Sequence, residues 1–80
     1  MDVIEATTKR ITELCKEKNL SIYALAKKSN LPPSTVYGIL KENRRDIYVD
    51  LIKKLCDGFN ISLIDFFDSE IFNKIDRIIK

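Results

Sequence analysis

The 80-residue sequence contains no histidine and no tryptophan, and it has only two cysteines and one methionine. Histidine is the most common general base and metal ligand in proteins, so its absence argues against acid–base catalysis and against a metal centre. Cys15 and Cys56 lie far apart in the chain and do not form a CxxC pair. We interpret both as small buried hydrophobic residues, and we expect neither an enzyme nor a cofactor.

The sequence also lacks long hydrophobic runs, which bears on where the protein works. No segment approaches the roughly 18 apolar residues that a membrane-spanning helix needs. Asp2 and Glu5 precede the first basic residue, unlike the start of a secretory leader. A chain of this length leaves no room for a separate ligand-sensing domain. We therefore expect a cytoplasmic protein without a membrane partner and without an evident small-molecule ligand.

Glycine and proline are scarce, with two of each, whereas apolar residues make up 45% of the chain. This composition is typical of one packed domain. Apolar residues recur at three- and four-residue steps along nearly the whole chain, and no alternating pattern predicts a strand. The sequence therefore predicts an all-α fold. Its helices are expected at about residues 4–18, 21–29, 33–41, 48–59, 62–67 and 69–80.

Asparagines follow the first four predicted helices, where chains often adopt a left-handed conformation. They are Asn19, Asn30, Asn43 and Asn60. After glycine, asparagine tolerates this conformation best, so these residues support the predicted helix ends. Gly38 and Gly58 lie inside predicted helices instead. Because an interior glycine costs about 1 kcal/mol relative to alanine, each should have a packing or functional reason.

The net charge of +2 is distributed unevenly along the chain. Residues 16–54 carry nine basic and four acidic side chains, whereas the segments on both sides have a net negative charge. A positive middle segment is expected of a domain that meets a polyanion on one face. The alternative is an ordinary lysine-rich surface in contact with water.

Residues 20–39 contain a recognisable pattern. Leu25-Ala26 is followed by Leu31-Pro32-Pro33 and by the triplet Ser34-Thr35-Val36. A small residue at Ala26 lets two helices approach each other, and apolar side chains at Leu31 and Val36 lock the turn between them. This run resembles the helix-turn-helix of the Xre/Cro-type, lambda-repressor-like DNA-binding family. The resemblance extends over about residues 5–67.

The resemblance implies a five-helix DNA-binding domain over residues 1–68, with the helix-turn-helix at about 21–41. An additional C-terminal amphipathic helix is expected over residues 69–80. Three positions depart from the family pattern. Glu42 stands where relatives usually have a glycine after the recognition helix. Ile22 stands where many relatives have glutamine, and Pro33 stands where a long polar residue often opens the recognition helix. These departures keep open a second interpretation, a protein-interaction module that has kept the fold and lost base readout.

The third predicted helix separates its residues into two faces. At about 100° per residue, Val36, Ile39 and Leu40 share one side, and the candidate base-reading residues lie on the other. These residues are Ser34, Thr35, Tyr37, Gly38 and Lys41. Polar side chains can bond base edges, and a residue without a side chain lets the helix sit deeper in the major groove. For Ser34 and Thr35, ordinary helix-start hydrogen bonding is the alternative.

The resemblance also implies phosphate contacts around the reading helix. Their candidates are Ser21, Tyr23, Pro33, Arg44 and Arg45. Arg44 and Arg45 follow the third helix, in a region that runs along the phosphate backbone in similar proteins. Lys27 and Lys28 close the second helix, and we interpret them as favourable to its dipole.

Residues 69–80 show a strongly one-sided pattern. At 100° per residue, their apolar side chains fall in a band about 120° wide. They are Ile71, Phe72, Ile75, Ile78 and Ile79. We predict that this face builds a homodimer. The alternative is that it covers the first helix of its own chain.

The function predicted from these features is that of a sequence-specific transcriptional regulator that binds double-stranded DNA, with a small repressor as the expected form. Two protomers would present their third helices to successive major grooves, about 34 Å apart, on a palindromic operator. The alternative interaction module would act as an antitoxin or as the partner of a regulator.

Overall fold

The computed structural model describes residues 1–41 and 46–77. Within these ranges the chain forms helices and no strand. The α-helices are α1 (Val3–Glu17), α2 (Ile22–Lys28), α3 (Pro33–Lys41), α4 (Val49–Phe59) and α5 (Leu63–Phe67), and a 3-10 helix (Glu70–Lys74) follows them. The all-α prediction is confirmed. None of these helices is long and apolar enough to cross a membrane.

Local capping explains where three of the helices begin. The side chains of Asp2, Ser21 and Ser62 each accept a hydrogen bond from the backbone N–H three residues later, at 2.8–3.0 Å. Each bond satisfies a backbone donor that has no partner inside the helix. Helix α4 begins after Tyr48, whose side chain makes no capping bond.

Left-handed asparagines mark three of the helix ends, as the sequence predicts. Asn19, Asn30 and Asn60 have φ angles of 55°, 57° and 61°. The chain therefore reverses direction after α1, α2 and α4 at residues that tolerate this conformation. Asn43, the fourth asparagine in this prediction, lies outside the described residues.

The core lies between the five α-helices. Helix α2 packs against both α3 and α4. The largest fully buried apolar side chains come from all five α-helices: Ile11, Leu25, Ile39, Leu55, Phe59 and Phe66. Cys15 and Cys56 are buried free thiols, as predicted. Burial raises the pKa of both thiols above the usual value.

A buried arginine ties α1 to α5. Arg10 is only 8% exposed, and its guanidinium donates to the backbone oxygens of Phe66 at 2.6 Å and Asp65 at 2.7 Å. It also pairs with Glu13, one turn further along α1. Carbonyl groups at the end of a helix have no partner inside the helix, so Arg10 supplies donors to the end of α5 and holds it against α1.

The prediction of an α-helix over residues 69–80 is wrong. The 3-10 helix ends at Lys74, and Ile75 has an extended backbone with φ −76° and ψ 134°. In an α-helix the N–H of Asp76 would bond to the carbonyl oxygen of Phe72, but it donates to the carbonyl oxygen of Met1 at 2.9 Å. At Asp76 this bond to the other end of the chain replaces the bond that an α-helix would make.

The same segment packs against its own chain. The 3-10 helix lies on α1, and Phe72 is a half-buried residue that packs against the core. Its ring lies 5.0 Å from that of Phe67 and 6.1 Å from that of Phe66, measured between centroids. For Phe72, the alternative interpretation therefore holds: its segment covers part of its own chain. Ile78 and Ile79 lie outside the described residues.

Candidate nucleic-acid interface

Helices α2 and α3 form a tight helix-turn-helix. The N–H of Leu31 donates to the carbonyl oxygen of Ala26 at 2.9 Å, and the N–H of Thr35 donates to that of Pro32 at 3.0 Å. Ala26 and Val36 are fully buried. The small side chain of Ala26 and the left-handed turn at Asn30 let α3 cross close to α2. The angle of α3 is thus determined by backbone bonds on both sides of the turn.

Gly58 brings α4 directly against the end of α2. A Cβ atom at this position would lie 2.1 Å from the hydroxyl oxygen of Ser29 and 3.0 Å from the backbone nitrogen of Ser29. No side chain fits in that space. Gly58 therefore has the packing reason that its place inside a helix requires, and α4 supports the helix-turn-helix from behind.

The outer face of α3 carries the predicted base-reading residues. Ser34, Tyr37 and Lys41 are exposed, and Thr35 and Gly38 are half-buried. Val36 and Ile39, on the opposite side, are fully buried. All five residues therefore lie on the outer side of α3, and the other side of this helix packs into the core.

Ser34 and Thr35 do not cap the helix that they open. Helix α3 begins at Pro33, so both residues lie inside its first turn. Within the described ranges, neither hydroxyl takes part in an intramolecular hydrogen bond. Both hydroxyls are therefore available to an external partner.

Two lysines cover two tyrosines, an arrangement that the sequence analysis missed. The ammonium nitrogen of Lys41 lies 5.8 Å from the ring centroid of Tyr37, and that of Lys27 lies 5.8 Å from the ring centroid of Tyr23. Both are cation–π contacts between residues four apart on a helix. The Tyr-x-x-x-Lys spacing is visible in the sequence and could have indicated them. Each contact holds a positive charge beside an exposed aromatic ring.

The predicted phosphate-binding residues lie around α2 and α3. Ser21 is exposed, and its hydroxyl oxygen accepts the capping bond of α2, which leaves its proton free to donate. Tyr23 is also exposed, and Pro33 is half-buried at the start of α3. Arg44 and Arg45 lie outside the described residues.

Among the described residues, the large apolar side chain with the highest exposed fraction lies on α5, which the sequence analysis did not single out. Ile64 is 81% exposed and Phe67 is 41% exposed. Together with Leu63 and Asp68 they line an open cleft of about 460 Å³. We refer to Leu63, Ile64 and Phe67 as the α5 patch. By contrast, Ile71, Phe72 and Ile75 are all half-buried.

A helix-turn-helix with a polar, solvent-facing second helix defines a class of DNA-binding domains. Residues 10–70 match the Cro/C1-type HTH DNA-binding domain. The match covers most of the chain, and the protein belongs to this family, as the sequence resemblance predicts. It is a DNA-binding regulator of transcription.

Solved structures show the same fold. The prophage Lp1 protein 11 is 29% identical with a TM-score of 0.79, over 94% of this chain and 100% of that one. The restriction-modification controller protein C.Esp1396I is 24% identical with a TM-score of 0.76, over 88% of this chain and 87% of that one. No curated protein sequence is significantly similar.

Proposed function

We propose that this protein is a small repressor that binds a specific palindromic operator as a homodimer. The observation that carries the proposal is the outer face of α3, where Ser34, Tyr37 and Lys41 are exposed while the inner face is locked in the core. A rigid helix that presents polar groups can enter the major groove, which is wide enough for one helix and displays a different pattern for each base pair.

Base edges and phosphates are contacted by different parts of this surface. Ser34, Thr35, Tyr37, Gly38 and Lys41 face the bases, whereas Ser21, Tyr23 and Pro33 lie at the helix starts that approach the backbone. Arg44 and Arg45 are assigned to phosphates from their position directly after α3. Phosphate contacts orient the protein on the duplex, and base contacts select the sequence.

The α5 patch is the proposed centre of the dimer interface. The sequence predicts that Ile71, Phe72, Ile75, Ile78 and Ile79 form it. The first three are half-buried on their own chain, so we assign them to the rim, and Ile78 and Ile79 lie outside the described residues. Ile64 and Phe67 are exposed apolar residues on α5 that remain open to a partner. A single small module buries about 600–1,000 Å² on DNA. Linking two modules strengthens binding because the second binding event becomes intramolecular.

The experiment that tests this function is selection of bound sequences from a random duplex library, followed by titration of the selected site and of random DNA. Tyr37→Ala and Ser34→Ala should each weaken binding to the selected site by about 1–3 kcal/mol and change binding to random DNA much less, because base contacts carry the discrimination. Fluorescence anisotropy measures both affinities.

Lys41→Ala is a third α3 variant for this test, and Lys74→Ala is its matched control. Both lysines are exposed, but Lys74 lies on the 3-10 helix, which packs on α1 and is not part of the helix-turn-helix. Only the Lys41 variant should lose discrimination. If every α3 variant keeps the ratio of specific to non-specific affinity, or if no sequence is enriched, the interaction module becomes the better description. The half-buried Ile22 would agree with that description, because it packs against the core and offers no polar group to DNA.

A further inference from the structure

The α5 patch lies in the most acidic part of the chain. Residues 61–70 contain three acidic side chains and no basic one. They are Asp65, Asp68 and Glu70, and all three are exposed. Asp65 directly follows Ile64, and Asp68 lines the same open cleft as the patch. We call these three groups the α5 carboxylates. A partner that covers the patch must come close to them.

Within the described part of the chain, none of the α5 carboxylates has an ion-pair partner. The ion pairs of residues 1–41 and 46–77 involve other acidic residues, on α1, on α4 and at Asp76. Arg10 reaches α5, but it donates to the backbone oxygen of Asp65 and forms its ion pairs with Glu13 and Glu17 on α1. The negative charge beside the patch is therefore not neutralised by these residues of the same protomer.

Two-fold symmetry makes this charge repulsive between protomers. In such a dimer the same surface of both copies meets itself. Burial of Ile64 and Phe67 favours association, but it also brings the α5 carboxylates of one copy towards those of the other. Like charges across an interface oppose its formation. No basic residue within 61–70 offsets this repulsion.

We propose that salt strengthens the dimer formed through the α5 patch, because it screens the repulsion between the α5 carboxylates of the two protomers. This inference rests on the proposed function, since it requires a homodimer centred on α5. The screening length falls from about 30 Å at 0.01 M salt to about 3 Å at 1 M. Repulsion at the interface is therefore strongest in dilute salt.

The two activities of the protein then respond to salt in opposite directions. Contacts with phosphates weaken as the salt concentration rises, whereas the dimer becomes stronger. In dilute salt the protomers associate most weakly in solution and bind DNA most strongly. Under these conditions the operator itself brings two protomers together, so assembly is coupled to DNA binding.

The first test measures the dissociation constant of the dimer without DNA. Sedimentation equilibrium of the full-length protein over a series of dilutions compares about 0.05 M with about 1 M sodium chloride. One exposed pair of like charges changes an equilibrium constant by about twofold, so two or three pairs correspond to about fivefold. The dissociation constant should therefore be about fivefold lower at the higher salt concentration.

The second test separates charge screening from a general effect of salt on apolar surfaces. Asp65→Asn combined with Asp68→Asn removes two charges from each protomer and keeps the size of the side chains. This variant should form a dimer more tightly than the wild type in dilute salt and should lose most of the salt effect. Glu5→Gln is the matched control, because Glu5 is an exposed acidic residue on α1. It should keep the wild-type dissociation constants.

The outcomes separate the inference from the proposed function. A protein that stays monomeric at every salt concentration, also as the asparagine variant, contradicts the proposed homodimer itself. A dimer that salt does not strengthen contradicts the inference alone. The inference is also wrong if the asparagine variant keeps the full salt effect of the wild type. Circular dichroism shows whether that variant folds, and Asp68→Asn alone replaces it in this comparison if it does not.

Discussion

At the scale of single residues, the two glycines illustrate how the same residue in the same local setting serves two purposes. Both lie inside helices, at Gly38 in α3 and at Gly58 in α4. An added methyl group would lie in open space at Gly38 but 2.1 Å from the Ser29 hydroxyl oxygen at Gly58. One glycine therefore leaves a surface open, and the other lets two helices touch.

We predict opposite effects of alanine at these two positions on the free energy of unfolding. Gly38→Ala should stabilise the protein by up to about 1 kcal/mol, because alanine is the better helix former and the site is open. Gly58→Ala should destabilise it by about 1–3 kcal/mol, because the added atom forces α4 away from α2. Urea denaturation followed by circular dichroism measures both changes.

Ser29 provides the control for Gly58→Ala. Its hydroxyl is buried, and it is the one such group without a hydrogen-bond partner among the described residues. Ser29→Ala alone should therefore change stability little, since no bond is removed. Combined with Gly58→Ala it should recover part of the loss, because the closest clash disappears while the backbone nitrogen stays at 3.0 Å. Equal stability of the two glycine variants would contradict this account.

Residue-level features were predictable where their cause is local. The left-handed conformations of Asn19, Asn30 and Asn60 follow from the asparagine side chain and its place after a helical run. The role of Arg10 was not predictable, because the carbonyl groups that it binds belong to Asp65 and Phe66, at the far end of the sequence. Periodicity places Arg10 on α1 but does not show which chain end packs over it.

At the scale of elements, the contrast between local and long-range causes explains which helix predictions were correct and which one was wrong. Helices α1, α2 and α5 have side-chain caps that belong to the same short segment. The segment after α5 has an equally clear apolar periodicity, yet it forms a 3-10 helix that ends at Lys74, and the backbone N–H of Asp76 bonds to Met1 instead of continuing a helix. A pattern of apolar residues shows which side is buried, but it does not show whether the backbone stays helical.

The α5 patch leads to a prediction about assembly. Ile64→Glu should convert the dimer to a monomer, because it places a charge at the centre of the proposed interface, where burial of an unpaired charge is costly. The fold should survive, since Ile64 is 81% exposed. Phe72→Glu is the less suitable variant because Phe72 packs against the core of its own chain. Sedimentation equilibrium at tens of micromolar reports the mass.

Val49→Glu is the matched control for assembly. Val49 is also a large, exposed apolar residue, but it begins α4 and lies outside the α5 patch. The Val49 variant should keep the dimer mass. A wild-type protein that is already monomeric under these conditions, or an Ile64 variant that stays dimeric, would contradict the assignment of the interface to α5.

At the scale of the whole molecule, charge and fold act together. The segment from residue 16 to residue 54 holds nine basic and four acidic residues, and this segment contains α2, α3 and the first half of α4. The helix-turn-helix thus coincides with the positive part of a chain whose net charge is small. The location of this charge was readable from the sequence, because the helix-turn-helix is itself one continuous segment.

This arrangement predicts that DNA binding depends steeply on salt. Each phosphate that the protein neutralises releases condensed counterions, so a dimer that neutralises about six phosphates should show a slope of about −5 for log affinity against log salt concentration. Replacing Arg44 and Arg45 together by alanine should reduce the magnitude of the slope by about 1 for each phosphate that is no longer neutralised. It should also weaken binding to all sequences about equally, since phosphates carry no sequence information.

The charge-matched control for the two arginines is Lys9→Ala with Lys74→Ala, which removes two exposed lysines from the negatively charged flanking segments. Anisotropy titrations over a series of salt concentrations should give the wild-type slope for this control, because Lys9 lies on α1 and Lys74 on the 3-10 helix, and neither is part of the helix-turn-helix. If the arginine variant shows the wild-type slope, Arg44 and Arg45 do not contact phosphates. Binding of the polyanion would then have to come from the lysines and hydroxyls of α2 and α3.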